Sequence, residues 1–96
     1  MIEGLNKHFE SRVRLGVMAL LSIHERVEFN TFKEDLGLTD GNLASHLSAL
    51  EKNEYILVQK DFVGRKPRTQ YQITKLGRVE FDKHLNALEI LLNQSK

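Results

Sequence analysis

Between Leu36 and Asp40 the chain stops one helix and starts another within three residues. Gly37 tolerates the left-handed conformation that ends a helix. Leu38 fills the turn, and Thr39 is suited to cap the helix that follows. Upstream, Phe32 and Leu36 lie four apart and face inward. Asn30 or Thr31 starts this second helix, and Thr31 with Glu34 has the spacing of a capping box. Downstream, Leu43, Leu47 and Leu50 are spaced four and three, which predicts one buried stripe on a third helix ending at Lys52 and Asn53. Two short helices are thus held together by a tight turn.

The rest of the chain arranges itself around that junction. Asn6 to His24 reads as a first helix, with Phe9, Val13, Val17, Leu20 and Leu21 on one face and Leu15 and Met18 outside it. Val27 to Phe29 is short and extended. Tyr55 to Phe62 alternates as a strand, with Ile56, Val58, Lys60 and Phe62 on one face and Tyr55 and Leu57 on the other. Gly64-Arg65-Lys66-Pro67-Arg68 is a turn segment, and Thr69 to Ile73 a second strand, so the pair reads as a hairpin with a basic tip. Thr74 caps a last helix running to about Asn93. In it Phe81, Leu85, Leu88 and Leu92 form one stripe, and His84, Ala87 and Leu91 a second beside it. The expected fold is mainly α with one small β-hairpin. Residues 1–96 form a single domain, with no repeat, linker or low-complexity segment.

Composition narrows the function classes. The 41% hydrophobic and 28% charged content is that of a globular chain. Cysteine is absent, which removes disulfides and thiolate metal sites and suits a cytoplasmic setting. No signal peptide pattern opens the chain, and the apolar run Val17 to Ile23 is far too short to span a bilayer. The net charge of +1 hides an uneven distribution. Residues 1–54 carry six Lys/Arg against nine Asp/Glu, whereas residues 55–96 carry eight against four. Lys60, Arg65, Lys66, Arg68, Lys75 and Arg78 crowd into one stretch, the footprint of a polyanion binder or of a solvated charged loop.

The outward face of the third helix decides between those two. Beside the buried leucines it carries Asp40, Gly41, Asn42, Ser45, His46, Ser48 and Ala49. Surface helices without a partner usually carry long ion-paired side chains. Short polar groups instead let a helix sit deep in the major groove, where Asn reads adenine, Ser reads several bases and Ala meets a thymine methyl. Arg65, Lys66 and Arg68 at the hairpin tip suit phosphate or a narrow minor groove. Asp40 is expected to act as a helix cap.

The stretch Phe29-Asn-Thr-Phe-Lys-Glu-Asp-Leu-Gly-Leu-Thr-Asp-Gly-Asn-Leu-Ala-Ser-His-Leu-Ser-Ala-Leu-Glu resembles winged helix-turn-helix regulators related to the MarR and ArsR families. Tyr55-Ile56, Gly64-Arg-Lys-Pro-Arg-Thr and Tyr71-Gln-Ile-Thr-Lys-Leu-Gly77 resemble the wing and following helix of the small, single-domain MarR-like group. The resemblance covers about residues 12–82. It implies a dimeric DNA-binding repressor or activator of transcription, with contacts from Thr39, Asn42, Ser45 and His46 in the recognition helix and from Arg65, Lys66 and Arg68 in the wing. The partner is then double-stranded DNA, with no membrane involved. In related regulators small effector molecules bind between the dimer helices and the DNA-binding lobe. This sequence offers no specific group for such a ligand.

A homodimer is also expected from the terminal helices, about residues 6–24 and 75–93, because each is apolar on more than one side. No cofactor is implied. His8, His24, His46 and His84 lack ligand spacing and have no cysteine beside them, so they make no metal site. His24 and His84 are expected to be ordinary boundary residues, and His46 a DNA contact or a cap on a neighbouring helix. No nucleophile elbow, phosphate loop or carboxylate pair suggests an enzyme. The competing reading is a winged module that binds protein rather than DNA, for which the acidic first half speaks.

Overall fold

Two capping residues divide what the apolar spacing reads as one N-terminal helix. In the computed structural model, which describes residues 3–94, Asn6 caps a short 3-10 turn, Lys7–Phe9, by accepting from the His8 amide at 2.8 Å. Ser11 then caps helix α1 (Arg12–Ile23), accepting from the Arg14 amide at 3.1 Å. The expected continuous helix from Asn6 is therefore corrected: two N-caps five residues apart start two elements.

After α1 the order is β1 (Val27–Glu28), α2 (Phe29–Leu36), α3 (Asp40–Lys52), β2 (Ile56–Val63), β3 (Lys66–Ile73) and α4 (Lys75–Asn93). The sheet is antiparallel, in the order β1-β3-β2. The expected mainly α fold with a hairpin is what forms. α2 starts earlier than Asn30 or Thr31, however, with Glu28 in the cap position and no side-chain cap. Pairing of Val27 with Tyr71 delivers the chain straight from β1 into the helix, so the capping-box spacing of Thr31 and Glu34 goes unused. Gly37 ends α2 at φ 65°, and Thr39 opens α3, as the sequence predicts.

One core joins these elements. Val17, Met18 and Leu21 of α1 are fully buried against Phe32 of α2 and Leu43, Leu47 and Leu50 of α3. Met18, outside the predicted stripe, is thus a core residue. Each such side chain contributes about 1.5–3 kcal/mol on burial.

α4 is seated by its first turn. The Thr74 hydroxyl accepts from the Gly77 amide at 2.9 Å and donates to the Glu54 carbonyl at 2.6 Å. The Thr74 amide donates to the Tyr55 carbonyl at 3.0 Å. A Cβ at Gly77 would overlap that same carbonyl oxygen, so the helix lies against the start of β2 only because residue 77 has none. Glu54 turns the chain between α3 and β2 at φ 64°, an uncommon conformation for a residue with a side chain.

The buried line of α4 is Gly77, Phe81, His84 and Ala87. This corrects two expectations. Leu85, Leu88 and Leu92, placed in one stripe with Phe81, face outward at 42%, 38% and 65% exposure. His84, read as a boundary residue, is only 5% exposed. Its Nδ1 accepts from the Asn6 amide at 2.9 Å, while Asn6 Nδ2 donates to the Tyr55 hydroxyl at 3.1 Å. The Phe9 ring fits between Tyr55, Phe81 and His84, with centroids 5.2–5.5 Å away. The N-terminal segment is thereby clasped to α4. Burial pushes the His84 pKa down, and Glu10 opposes the shift only in part.

Candidate nucleic-acid interface

The three-and-four spacing of α3 leaves Asn42, Ala44, Ser45 and Ser48 exposed opposite the leucines. Ala44, not Ala49, takes the small apolar position on this face, since Ala49 is half-buried. Thr39 is exposed, and its hydroxyl accepts from the Asn42 amide at 3.3 Å, so the cap also fixes the helix start beside Asn42. Asp40 is not the cap. Its carboxylate pairs with Lys33 at 2.7 Å, tying α2 to the first turn of α3. The pair adds little stability at such exposure. Its effect is to match the carboxylate at the start of α3 with a cation.

His46 lies half-buried, turned toward α1, where Arg14 Nε donates to its Nδ1 at 3.0 Å. Burial, with the neighbouring Arg14 cation, pushes its pKa down and so favours the neutral ring. Arg14 was not among the residues the sequence pointed to. Thirty-two positions separate it from His46, and only the packing of α1 on α3 brings them together.

The hairpin turns on two residues, Gly64 and Arg65, with Gly64 at φ 64°. Glycine at the first position of a two-residue turn supplies the twist that closes a hairpin. Lys66, Pro67 and Arg68, read as turn, belong to β3. Pro67 is tolerated because β1 reaches only Gln70 and Tyr71, leaving that side of β3 unpaired near the tip.

Strand alternation sorts the wing cations into different roles. Arg68 stands opposite Asp61 and holds it through two hydrogen bonds of 2.9 and 2.7 Å. The Arg68 fork keeps the Asp61 carboxyl below the usual carboxylate range, and the Arg68 pKa is raised in return. Arg65 and Lys66 have no ion pair among the described residues. Lys60, opposite Thr69, shares the other face with Phe62 and Pro67. Phe62 and Val63 are 71% and 55% exposed at the tip. Sequence reasoning passed over Phe62, although its place two and four residues beyond Lys60 and Val58 on an alternating strand carried the signal.

The candidate residues thus form two groups on consecutive elements: Thr39, Asn42, Ser45 and His46 on α3, and Arg65, Lys66 and Arg68 on the wing. Among the described residues no cluster of three His, Asp or Glu side chains is placed to hold a metal, and no helix is long and apolar enough to cross a membrane.

Known proteins resemble this chain in sequence or in fold. A protein of Methanocaldococcus jannaschii, MJ0432, is 42% identical over 79 residues, which cover 82% of this chain and 86% of its own length. The structure of a transcriptional regulator homologue from Pyrococcus horikoshii superposes with a TM-score of 0.87 at 32% identity, over 93% of this chain and 88% of that one. A MarR-family transcriptional regulator from Silicibacter pomeroyi shares the fold at a TM-score of 0.67 and 18% identity, over 88% of this chain and 56% of its own. Residues 13–92, from α1 through the wing into the last turns of α4, match one family throughout, and the chain belongs to it: the winged helix DNA-binding domain family.

Proposed function

We propose that this chain is a transcriptional regulator that binds duplex DNA in a sequence-specific way and acts as a homodimeric repressor. The observation that carries the reading is the face of α3, where short polar side chains stand beside a helix start fixed by Thr39 and an ion-paired Asp40. Asn42 and Ser45 would read base edges in the major groove. Arg65 and Lys66 would meet phosphate or the minor groove, supplying most of the affinity and a strong salt dependence. Arg68 would act chiefly by stiffening the wing through Asp61.

The dimer rests on the outer stripe of α4. Leu85, Leu88 and Leu92 are 38–65% exposed along one helix, an apolar stripe of the kind that pairs across a two-fold axis. Such a dimer would offer two α3 helices to half-sites about one helical turn apart, and repression would follow from blocking polymerase access.

The test is fluorescence anisotropy with random duplex DNA at two salt concentrations, with light scattering on the same sample. Salt-sensitive binding by a dimer supports the reading. No binding at low salt overturns it in favour of a protein-binding winged module, for which exposed Phe62 and Val63 would be the contact.

A further inference from the structure

The contact between Arg14 and His46 fixes more than the position of a ring. A guanidinium has five N–H donors and no acceptor. Since Arg14 Nε lies 3.0 Å from His46 Nδ1, that nitrogen must carry its lone pair. It is therefore unprotonated, and the single proton of the neutral ring sits on Nε2. A cationic His46 would place an N–H against the Arg14 N–H and a second positive charge beside the first. Both the hydrogen bond and the charge thus exclude the imidazolium. The partly buried seat of the ring, which pushes its pKa down, acts in the same direction.

A neutral ring contributes little to phosphate affinity, which comes from cations. What it offers is one directional donor. His46 follows Ser45 directly and stands one helical turn after Asn42, at the border of the exposed face of α3. Major-groove acceptors are guanine N7 and O6, adenine N7 and thymine O4, whereas the cytosine amino group is a donor. We propose that Arg14 is a positioning residue that locks His46 as a neutral Nε2–H donor, and that His46 thereby selects an acceptor-bearing base edge and rejects the cytosine edge at one position of the site. This inference rests on the DNA-binding reading and adds to it the residue that sets the tautomer and the class of base edge it selects.

The same contact gives Arg14 a second consequence. With Nε engaged, its two terminal NH₂ groups have no carboxylate partner among the described residues. Replacing Arg14 therefore removes a cation as well as the lock. Arg14→Lys keeps the charge while abandoning the fixed Nε geometry, and it separates the two roles.

The experiment has two arms. The first is long-range proton–nitrogen NMR on the free, full chain at pH 7. The His46 ring is expected in the Nε2–H form, and Arg14→Lys is expected to return it toward a mixture of tautomers. A His46 ring that is doubly protonated, or protonated on Nδ1, overturns the proposal without any DNA present. The second arm selects preferred sites from a randomised duplex library with the unaltered chain, His46→Ala and Arg14→Lys. Both variants are expected to lose base preference at one shared position, by on the order of tenfold. Motifs unchanged in both variants overturn the inference while leaving DNA binding intact. Failure of the unaltered chain to bind any duplex overturns the functional reading and this inference with it, and the NMR arm still reports whether Arg14 sets the tautomer.

Discussion

Helix α3 and the wing hold their polar side chains in opposite ways. On α3 the restraints come from elsewhere in the molecule: Lys33 of α2 on Asp40, Arg14 of α1 on His46, and a leucine stripe seated in the core. On the wing the cross-strand fork of Arg68 and Asp61 lies within the hairpin itself, and the tip residues Phe62 and Val63 project into solvent. The helix inherits its rigidity from the whole fold, so it suits a role in which ångström errors cost selectivity. The wing is self-supporting and charged, which suits a role in which any phosphate will do.

The largest test of that contrast removes the frame. Gly77→Ala should cost about 3 kcal/mol or more, because the added Cβ meets a backbone carbonyl that cannot rotate away. Urea unfolding measures it. A loss below about 1 kcal/mol would mean that α4 shifts freely and does not anchor β2. Next is Thr39→Ala, expected to lose about 1 kcal/mol with the cap of α3. If α3 is held from outside, its amides beyond the first turn should keep their hydrogen-exchange protection. Fraying along the whole helix would contradict the contrast.

Acid offers a graded version. His84 titrates at lower pH in the folded chain than the ordinary histidine value of about 6.5. Between those two values the unfolded chain binds the extra proton. Stability is therefore full above the ordinary value and declines as pH falls through it toward the folded one. Stability measured from pH 8 to pH 5 should decline toward acid, and His84→Asn should flatten the curve. Equal slopes in both proteins would show that the clasp on Asn6 does not depend on the proton.

The smallest effect on stability is expected at the wing. Arg65→Ala and Lys66→Ala should each change stability by less than about 0.5 kcal/mol. Each should also lower the salt dependence of duplex binding by about one counterion. Arg68→Ala should change the salt dependence less than either, since its charge is already met by Asp61. Equal losses from all three would erase the distinction between paired and free wing cations.

What was legible in the sequence was local. Gly37, Thr39 and Thr74 act within one turn of chain, so their caps and the turn between α2 and α3 follow from residue type. What was not legible depends on distant partners. Nothing near His84 reveals that Asn6, 78 positions away, will donate to it. Arg68 looked free because its partner is set by hairpin register, and register became readable only once the turn was known to be two residues rather than five. Asp40 was read as a cap because Lys33 lies across the turn, on a helix whose direction relative to α3 no local pattern gives.

That two-residue turn also limits how such a wing can diverge. Nothing lies within 4 Å of where a Gly64 side chain would begin, so the hairpin could lengthen without obstruction. Its strands cannot lengthen by an arbitrary step. One residue inserted into β2 between Ile56 and Lys60 would invert the strand beyond it, turning Asp61 and Val63 to the face now held by Lys60 and Phe62. The fork to Arg68 would be lost with the same stroke. Insertions within β2 are therefore filtered for even numbers, whereas residues added at the turn leave the strand faces as they are.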